Sequence, residues 1–384
     1  MAYKFLVPKT VISGKNAIEE AAQQMSDLGK KALIVTDKIM VKIGNVSKLT
    51  DVLKKSNVEY EIFDGVNSEP TDIIIGEGVE VYKNSGCDFL IAVGGGSPID
   101  AAKAIGVMVQ SSGNISDYMG KVINTSIPPL VAIPTTAGTG SEATQFTIIS
   151  DTKNNVKMLL KGPSLIPILA IVDPEFTITS PQGVTSATGI DALTHAVEAY
   201  TSRLAQPLSD TFALSAIKRI FGNLRTAYSD GNNFEARNQM SLGALEAGIA
   251  FNNSSVTIIH GMSRPIGALF HVPHGISNAM LIVECLKFAI DGAADRFCEI
   301  AKTVGIYKEG MSDIEASKAL IEEIKNLCDY LKIPTLEGYG IKYEDFIKQI
   351  DKMAEDALIS GSPSNTKKQP TKEDIIKIYE NLWK

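Results

Sequence analysis

The first half of the chain alternates between two hydrophobic periods. KALIVTD (31–37) is a short β-branched run with the look of a buried strand, preceded by a helix-like segment. VSKLTDVLKKSN (46–57) has helical spacing, VEYEIFDG (58–65) reads as a strand, and TDIIIGEGVEVYKNSG (71–86) reads as a helix. DFLIAVGGGS (88–97) is an apolar strand running into glycines, and PIDAAKAIGVMVQS (98–111) is a helix opened by proline in its first turn. LVAIPTTAGTGSE (130–142) is one more strand, ending in a Gly/Thr loop. Strands alternating with helices predict a parallel, doubly wound sheet.

The period changes after IVDPEFTITSPQG (171–183). DALTHAVEAYTS, SDTFALSAIKRIF, ARNQMSLGALEAGIAF, EASKALIEEIKNLCDYL and EDIIKIYENLW all carry helical spacing, and no convincing strand interrupts them. The expectation is therefore a Rossmann-like α/β domain over 1–181 followed by an all-helical domain over 182–384. Thr371 is a candidate cap for the last helix.

Composition narrows the function classes. A length of 384 residues favours two domains, and 44% hydrophobic residues allow a sizeable core. A net charge of −7 and a pI near 5.3, without a dense Lys/Arg run, argue against nucleic-acid and anionic-membrane partners. The four cysteines are scattered with no C-x-x-C pair, so they are expected to be free thiols in a reducing cytoplasm. The N-terminus has no signal-peptide pattern, and the most apolar run, LIPILAIV (165–172), is too short to span a bilayer.

Two features carry chemistry. In GGGSPIDAAK (94–103) a buried strand delivers three glycines and a serine to a helix N-terminus, a geometry that suits a phosphate. Asp37, closing KALIVTD, could accept the ribose hydroxyls of NAD and repel a 2′-phosphate, or could simply cap a helix. PTTAGTGSE (134–142) offers a second wall to a dinucleotide.

The other feature is histidine. The chain has four, and three lie in HGMSRPIGALFHVPH (260–274). The fourth, His195, sits four residues after Asp191 in the helical, mostly apolar ATGIDALTHAVEAY (187–200), so the two share a face. A buried lone carboxylate is costly unless paired or coordinated. His260 ends an apolar run, while the proline in VPHG stops a helix and lets His274 open another. Two converging elements could join His260 and His274 to Asp191 and His195, giving one carboxylate and three imidazoles for a divalent ion. His271 is open between fifth ligand, proton relay and pocket wall.

These four motifs, in this order and at these intervals, resemble the iron-containing (group III) alcohol dehydrogenase family along essentially the whole chain. The resemblance implies metal ligands at Asp191, His195, His260 and His274, with Fe²⁺ ahead of Zn²⁺. It implies NAD(H) contacts at Asp37, Asn67, Gly94, Gly95, Gly96, Ser97, Asp100, Thr135, Thr136, Thr139 and Lys157. It implies reversible hydride transfer between NAD(H) and a short-chain primary alcohol or aldehyde, by a cytoplasmic homodimer or larger homo-oligomer.

Many relatives carry a further histidine four residues after the third ligand, where this chain has Arg264. Arginine cannot shuttle protons near neutral pH, so His271 becomes the candidate relay and Arg264 a candidate contact for an anionic substrate tail, a carboxylate or sulfonate. Polyol dehydrogenases and dehydroquinate-synthase-like lyases share the architecture, but the Asp-plus-three-His set in G-x-D-A-L-T-H speaks against both.

Overall fold

The computed structural model describes residues 2–154 and 156–383. Among the described residues there are eight strands: β1 (Thr10–Ser13), β2 (Lys31–Val35), β3 (Glu59–Phe63), β4 (Phe89–Gly94), β5 (Leu130–Pro134), β6 (Phe146–Asp151), β7 (Val156–Lys161) and β8 (Leu169–Val172). Among them run α1 (Ala17–Glu20), α2 (Ala22–Ser26), α3 (Lys38–Lys42), α4 (Asn45–Lys55), α5 (Asp72–Asn84) and α6 (Gly96–Val109). The helical part holds α7 (Gln182–Thr201), α8 (Pro207–Ser229), α9 (Phe234–Ser254), α10 (Ile258–Phe270), α11 (His274–Thr303), α12 (Asp313–Tyr330), α13 (Tyr343–Ile359) and α14 (Lys372–Asn381).

The main sheet is parallel, in the order β1-β8-β5-β4-β2-β3. Its central strands read as unbroken apolar runs because both faces are covered. Leu33, Val35, Leu90, Ala92, Leu130 and Ala132 face one core, shared with Ile75 of α5 and Ile99 and Ile105 of α6. Their neighbours Ala32, Ile34, Phe89, Ile91, Val131 and Ile133 face the other, shared with Ala17, Met25, Leu49 and Leu53 from α1, α2 and α4. From β2 the chain adds β3 on one side and β4 on the other. The strand order therefore reverses between β2 and β4, where a crevice forms at the carboxyl ends of parallel strands.

The chain divides into two compact units after Ser180, one residue before the boundary expected from sequence, and residues 2–5 group with the helical unit. Gln206 Nε2 donates to the Lys4 carbonyl at 3.1 Å, and Phe5 stacks on Phe212 with centroids 5.9 Å apart. Sequence periodicity also passed over β1, β8 and the antiparallel pair β6–β7. The last helix begins at Thr371 as expected, with a reciprocal Thr371–Asp374 capping box.

Candidate metal centre and glycine-loop site

α7 is buried on nearly every side from Gly189 to Thr201, so its polar residues must find partners inside the protein. Asp191 and His195 share one face at i and i+4, and Glu198, seven residues after Asp191, joins them. His260 lies in the first turn of α10, and His274 is the first residue of α11. Gly275 lets that start come close, because a Cβ there would lie 2.6 Å from the Ala187 carbonyl oxygen on α7.

Asp191, His195 and His260 are buried, while the side chain of His274 is 40% exposed and gives the cluster its open side. His260 Nε2 and His274 Nε2 each lie 3.7 Å from Asp191 Oδ1, and His195 Nδ1 lies 4.0 Å from Asp191 Oδ2. The His195 ring is sandwiched between Phe251 and His260, both at 4.3 Å between centroids. One donor atom from each of the four residues falls within 4.8 Å of every other. A tetrahedral ion with bonds of about 2.0–2.2 Å would separate its donors by roughly 3.3–3.6 Å, so modest adjustment completes a site.

Two further observations fit a cation here. His195 Nδ1 is buried with no hydrogen-bond partner. The Asn278 amide nitrogen donates to Asp191 Oδ1 at 2.7 Å and stands 3.2 Å from both His260 Nε2 and His274 Nε2. An N–H₂ group facing three acceptor atoms does weakly what a small cation does strongly. The donor set, three imidazoles and one carboxylate without thiolate, suits a divalent first-row metal.

The electrostatics agree. Burial alone would raise the Asp191 carboxyl, but His195, His274 and His260 hold it well below the ordinary carboxylate range. Burial, with two neighbouring imidazoles, lowers His195 to about 3, so it is neutral and ready to donate a lone pair. His260 goes the other way: against its burial, Glu198 and Asp191 raise it to about 9. A positive charge is wanted at this point, and a proton and a metal ion compete to supply it.

The α/β unit builds a different kind of site at the ends of β2 and β4. Gly94 needs to be glycine, since a Cβ would lie 2.4 Å from Pro98 Cγ. Gly95 caps α6 without any side-chain hydrogen bond, and Gly96 and Ser97 begin the helix, leaving amide groups for an anion. Asp37 Oδ1 accepts from the Ile39 and Met40 amides and caps α3; its Oδ2 has no partner among the described residues. Asn67 ties the neighbouring loops, accepting from the Lys38 amide and donating to the Asp64 carbonyl, both at 3.2 Å.

Asp100 accepts from Ser141 Oγ at 2.6 Å and the Ile148 amide at 2.9 Å, so its oxygens pin the Gly/Thr loop to β6. Beside it, fully buried Lys103 donates to the carbonyls of Ser141, Thr144 and Phe146 at 2.7–3.0 Å and to two hydroxyls. Thr139 Oγ1 accepts from the Ser141 amide, and the Thr135 hydroxyl is buried without a partner. Thr136 lies 3.5 Å from where a Gly95 Cβ would stand. Lys157, on β7, is held by Glu69 at 2.7 Å.

The structure thus brings Asp191, His195, His260 and His274 together and gathers the glycines with Asp37 and Asn67 at the strand ends. His271 is not one of the four residues whose donor atoms converge. That residue is the exposed C-cap of α10 in a left-handed conformation (φ 55°). Arg264, one turn after His260, is half-buried, with no hydrogen bond or ion pair among the described residues. Burial lowers its pKa and the Glu198 charge opposes that shift.

Sequence reading missed Glu198, Asn278 and Lys103. The signal was present for each: Glu198 shares the Asp191 face of α7, Asn278 is four residues after His274, and Lys103 stands inside the apolar first turns of α6.

The N-terminal pattern of the iron-containing alcohol dehydrogenases matches residues 8–174, and the family's C-terminal pattern matches residues 185–383. The 1,3-propanediol dehydrogenase of Citrobacter freundii is 37% identical, over 99% of each chain. Lactaldehyde reductase of Escherichia coli is 35% identical over the full length of both. A solved 1,3-propanediol oxidoreductase structure superposes with a TM-score of 0.96 at 36% identity, covering 100% of both chains. No helix among the described residues is long and apolar enough to cross a membrane. With the family's two patterns covering almost all of the chain and an Asp-plus-three-His cluster at its centre, the chain belongs to the iron-containing alcohol dehydrogenase family and is an alcohol oxidoreductase.

Proposed function

We propose that this chain catalyses reversible hydride transfer between NAD(H) and a short-chain primary alcohol or aldehyde, with a divalent metal, Fe²⁺ ahead of Zn²⁺, held by Asp191, His195, His260 and His274. The observation that carries the reading is the convergence of those four side chains, with an orphaned histidine nitrogen among them. When bound, the ion would supply Lewis acidity to a substrate oxygen and the nicotinamide would give or take the hydride.

The residues then have separable tasks. The buried carboxylate of Asp191 would balance the charge of the ion, and the two adjoining buried imidazoles, His195 and His260, keep water from the inner side of the cluster. His274, on the open side, borders the approach for substrate. The amides of Gly96 and Ser97 receive a phosphate of the dinucleotide, and Asp37 Oδ2 accepts from a ribose hydroxyl, favouring NAD over NADP. His271, exposed at its helix end, is better placed to terminate α10 than to carry a proton, which leaves solvent at the His274 side to exchange it.

Half-buried Arg264 supports a finer reading, that substrates with an anionic tail are preferred. An isolated guanidinium gains most from a carboxylate or sulfonate that it can pair with. Comparing kcat/KM for neutral and ω-anionic aldehydes in wild type and Arg264→Ala tests this. We expect a selective loss of roughly 10–100-fold for anionic substrates; an equal loss for both classes would sink it. Four buried free thiols support a cytoplasmic setting, and a homodimer or larger assembly is expected from light scattering. The main reading is tested by NADH oxidation with C2 to C5 aldehydes after loading with Fe²⁺ or Zn²⁺; a loaded, folded protein inert towards all of them overturns it.

A further inference from the structure

Glu198 is 1% exposed, and neither of its oxygens is idle. Oε1 accepts from the Thr257 hydroxyl at 2.7 Å and the Ile259 amide at 2.6 Å. Oε2 faces His260 Nδ1 at 2.5 Å. The donors lie at the start of α10, whose N-cap residue, Thr257, makes no side-chain capping bond of its own. A carboxylate from α7 therefore caps a second helix and grips that helix's histidine.

The arrangement dictates which ring nitrogen of His260 carries the proton. A carboxylate only accepts, so Nδ1 must present N–H to it. In the neutral ring Nε2 is then left with a lone pair, and it is Nε2 that lies 3.7 Å from Asp191 Oδ1. We propose that Glu198 is a positioning residue: by fixing α10 and the Nδ1–H form of His260 together, it turns the Nε2 lone pair towards Asp191, His195 and His274. The inference rests on the metal-ligand reading of those residues. A carboxylate behind a ligating histidine both orients the ring and raises its basicity.

Glu198→Gln separates this role from simple packing. Glutamine has the same shape but one acceptor and one donor end. The Ile259 amide can only donate, so it claims the carbonyl oxygen. The N–H₂ then faces His260 Nδ1, which must become the acceptor, moving the ring proton to Nε2 and into the cluster.

The test uses the metal-free full-length protein. Long-range ¹H–¹⁵N spectra of the imidazoles, recorded as a pH series up to the alkaline plateau where the His260 shifts stop changing, should show the neutral ring protonated at Nδ1 in wild type and at Nε2 in Glu198→Gln. Zn²⁺ titration should show affinity weakened roughly 10–100-fold, while the metal-free variant melts as cooperatively as wild type. Thr257→Val, which removes one donor but leaves the carboxylate, should keep the Nδ1–H form. An unchanged tautomer in Glu198→Gln, a changed one in Thr257→Val, or a metal-free Glu198→Gln that does not fold would overturn the proposal. An inverted tautomer with unchanged Zn²⁺ affinity would overturn the ligand reading of His260 instead, and this proposal with it.

Discussion

The metal centre of the helical unit and the glycine-loop site of the α/β unit treat buried charge in opposite ways. Around Asp191 the charged and imidazole groups converge on one point and leave a histidine nitrogen and an amide oxygen of Asn278 without partners. Around Lys103 each charge already has its answer: five oxygens surround the ammonium, and both Asp100 oxygens are taken. The first arrangement is completed from outside by an ion. The second is complete by itself, and what it offers a ligand is backbone amides held in place. A cluster of charged side chains marks a binding point only when its hydrogen bonds do not close.

Substitutions in the two regions should therefore fail in different ways. The largest effect is expected for His260→Ala, which removes a lone pair that nothing else supplies. Metal content and turnover should fall together, with kcat/KM lower by on the order of 10³-fold. If elemental analysis found the metal retained in an active variant, the contrast between the two regions would collapse.

Lys103→Met should instead act on stability first. It leaves the Asp100 charge and five acceptors without their buried cation, which costs about 3–5 kcal/mol in urea denaturation. NADH binding should weaken through the loosened loop, while Zn²⁺ affinity at the other unit is unaffected. Parallel losses of NADH and metal binding in a folded variant would break the distinction.

A smaller and sharper effect is expected at Asp37. Asn is as good an N-cap, so Asp37→Asn should melt within about 0.5 kcal/mol of wild type. If the free oxygen serves a ribose, the preference for NADH over NADPH should fall roughly tenfold. Unaltered preference would leave Asp37 a cap alone.

A last effect, read only in the pH profile, concerns Glu142, buried within reach of the Lys103 charge. Burial raises its pKa from 4.5 to about 7, with its own amide and Lys103 opposing. The folded state thus holds this proton more tightly than the unfolded one. Its contribution is most favourable below about pH 4.5 and declines as pH rises to about 7. Glu142→Gln should lack that decline, matching wild type near pH 4.5 and melting higher above pH 7. Melting profiles that run parallel from pH 5 to 8 would exclude the effect.

Much of this was legible in the residues themselves. Four histidines in 384 residues, two of them bracketing a Pro-broken helix and one sharing a face with Asp191, leave few ways to build a metal site. The central strands were legible because a sheet covered on both sides demands unbroken apolar runs. β6 and β7 escaped because each is half-exposed, and their alternation carries less apolar contrast than the runs around them. His271 stays the least legible of the four histidines: it stands three residues before a candidate ligand and forms the exposed, left-handed C-cap of α10. Lys103 was hidden because lysine is almost always solvated, and only the loop folded over it supplies five acceptors.

The alternation of β2 to β5 with helices, the helical second half, the position of the glycines and the identity of the four candidate ligands follow from the chain alone, because helical and strand periods are local and rare residues stand out without context. Which lone pairs meet, and which charges are already spent, was decided by tertiary structure. Glu198 is an ordinary helix residue until α10 arrives to donate hydrogen bonds to it, and the two oxygens of Asp100 find the Ser141 hydroxyl and the Ile148 amide only when the Gly/Thr loop and β6 fold against α6. Hydrogen bonds between residues tens of positions apart depend on distances that no local pattern records.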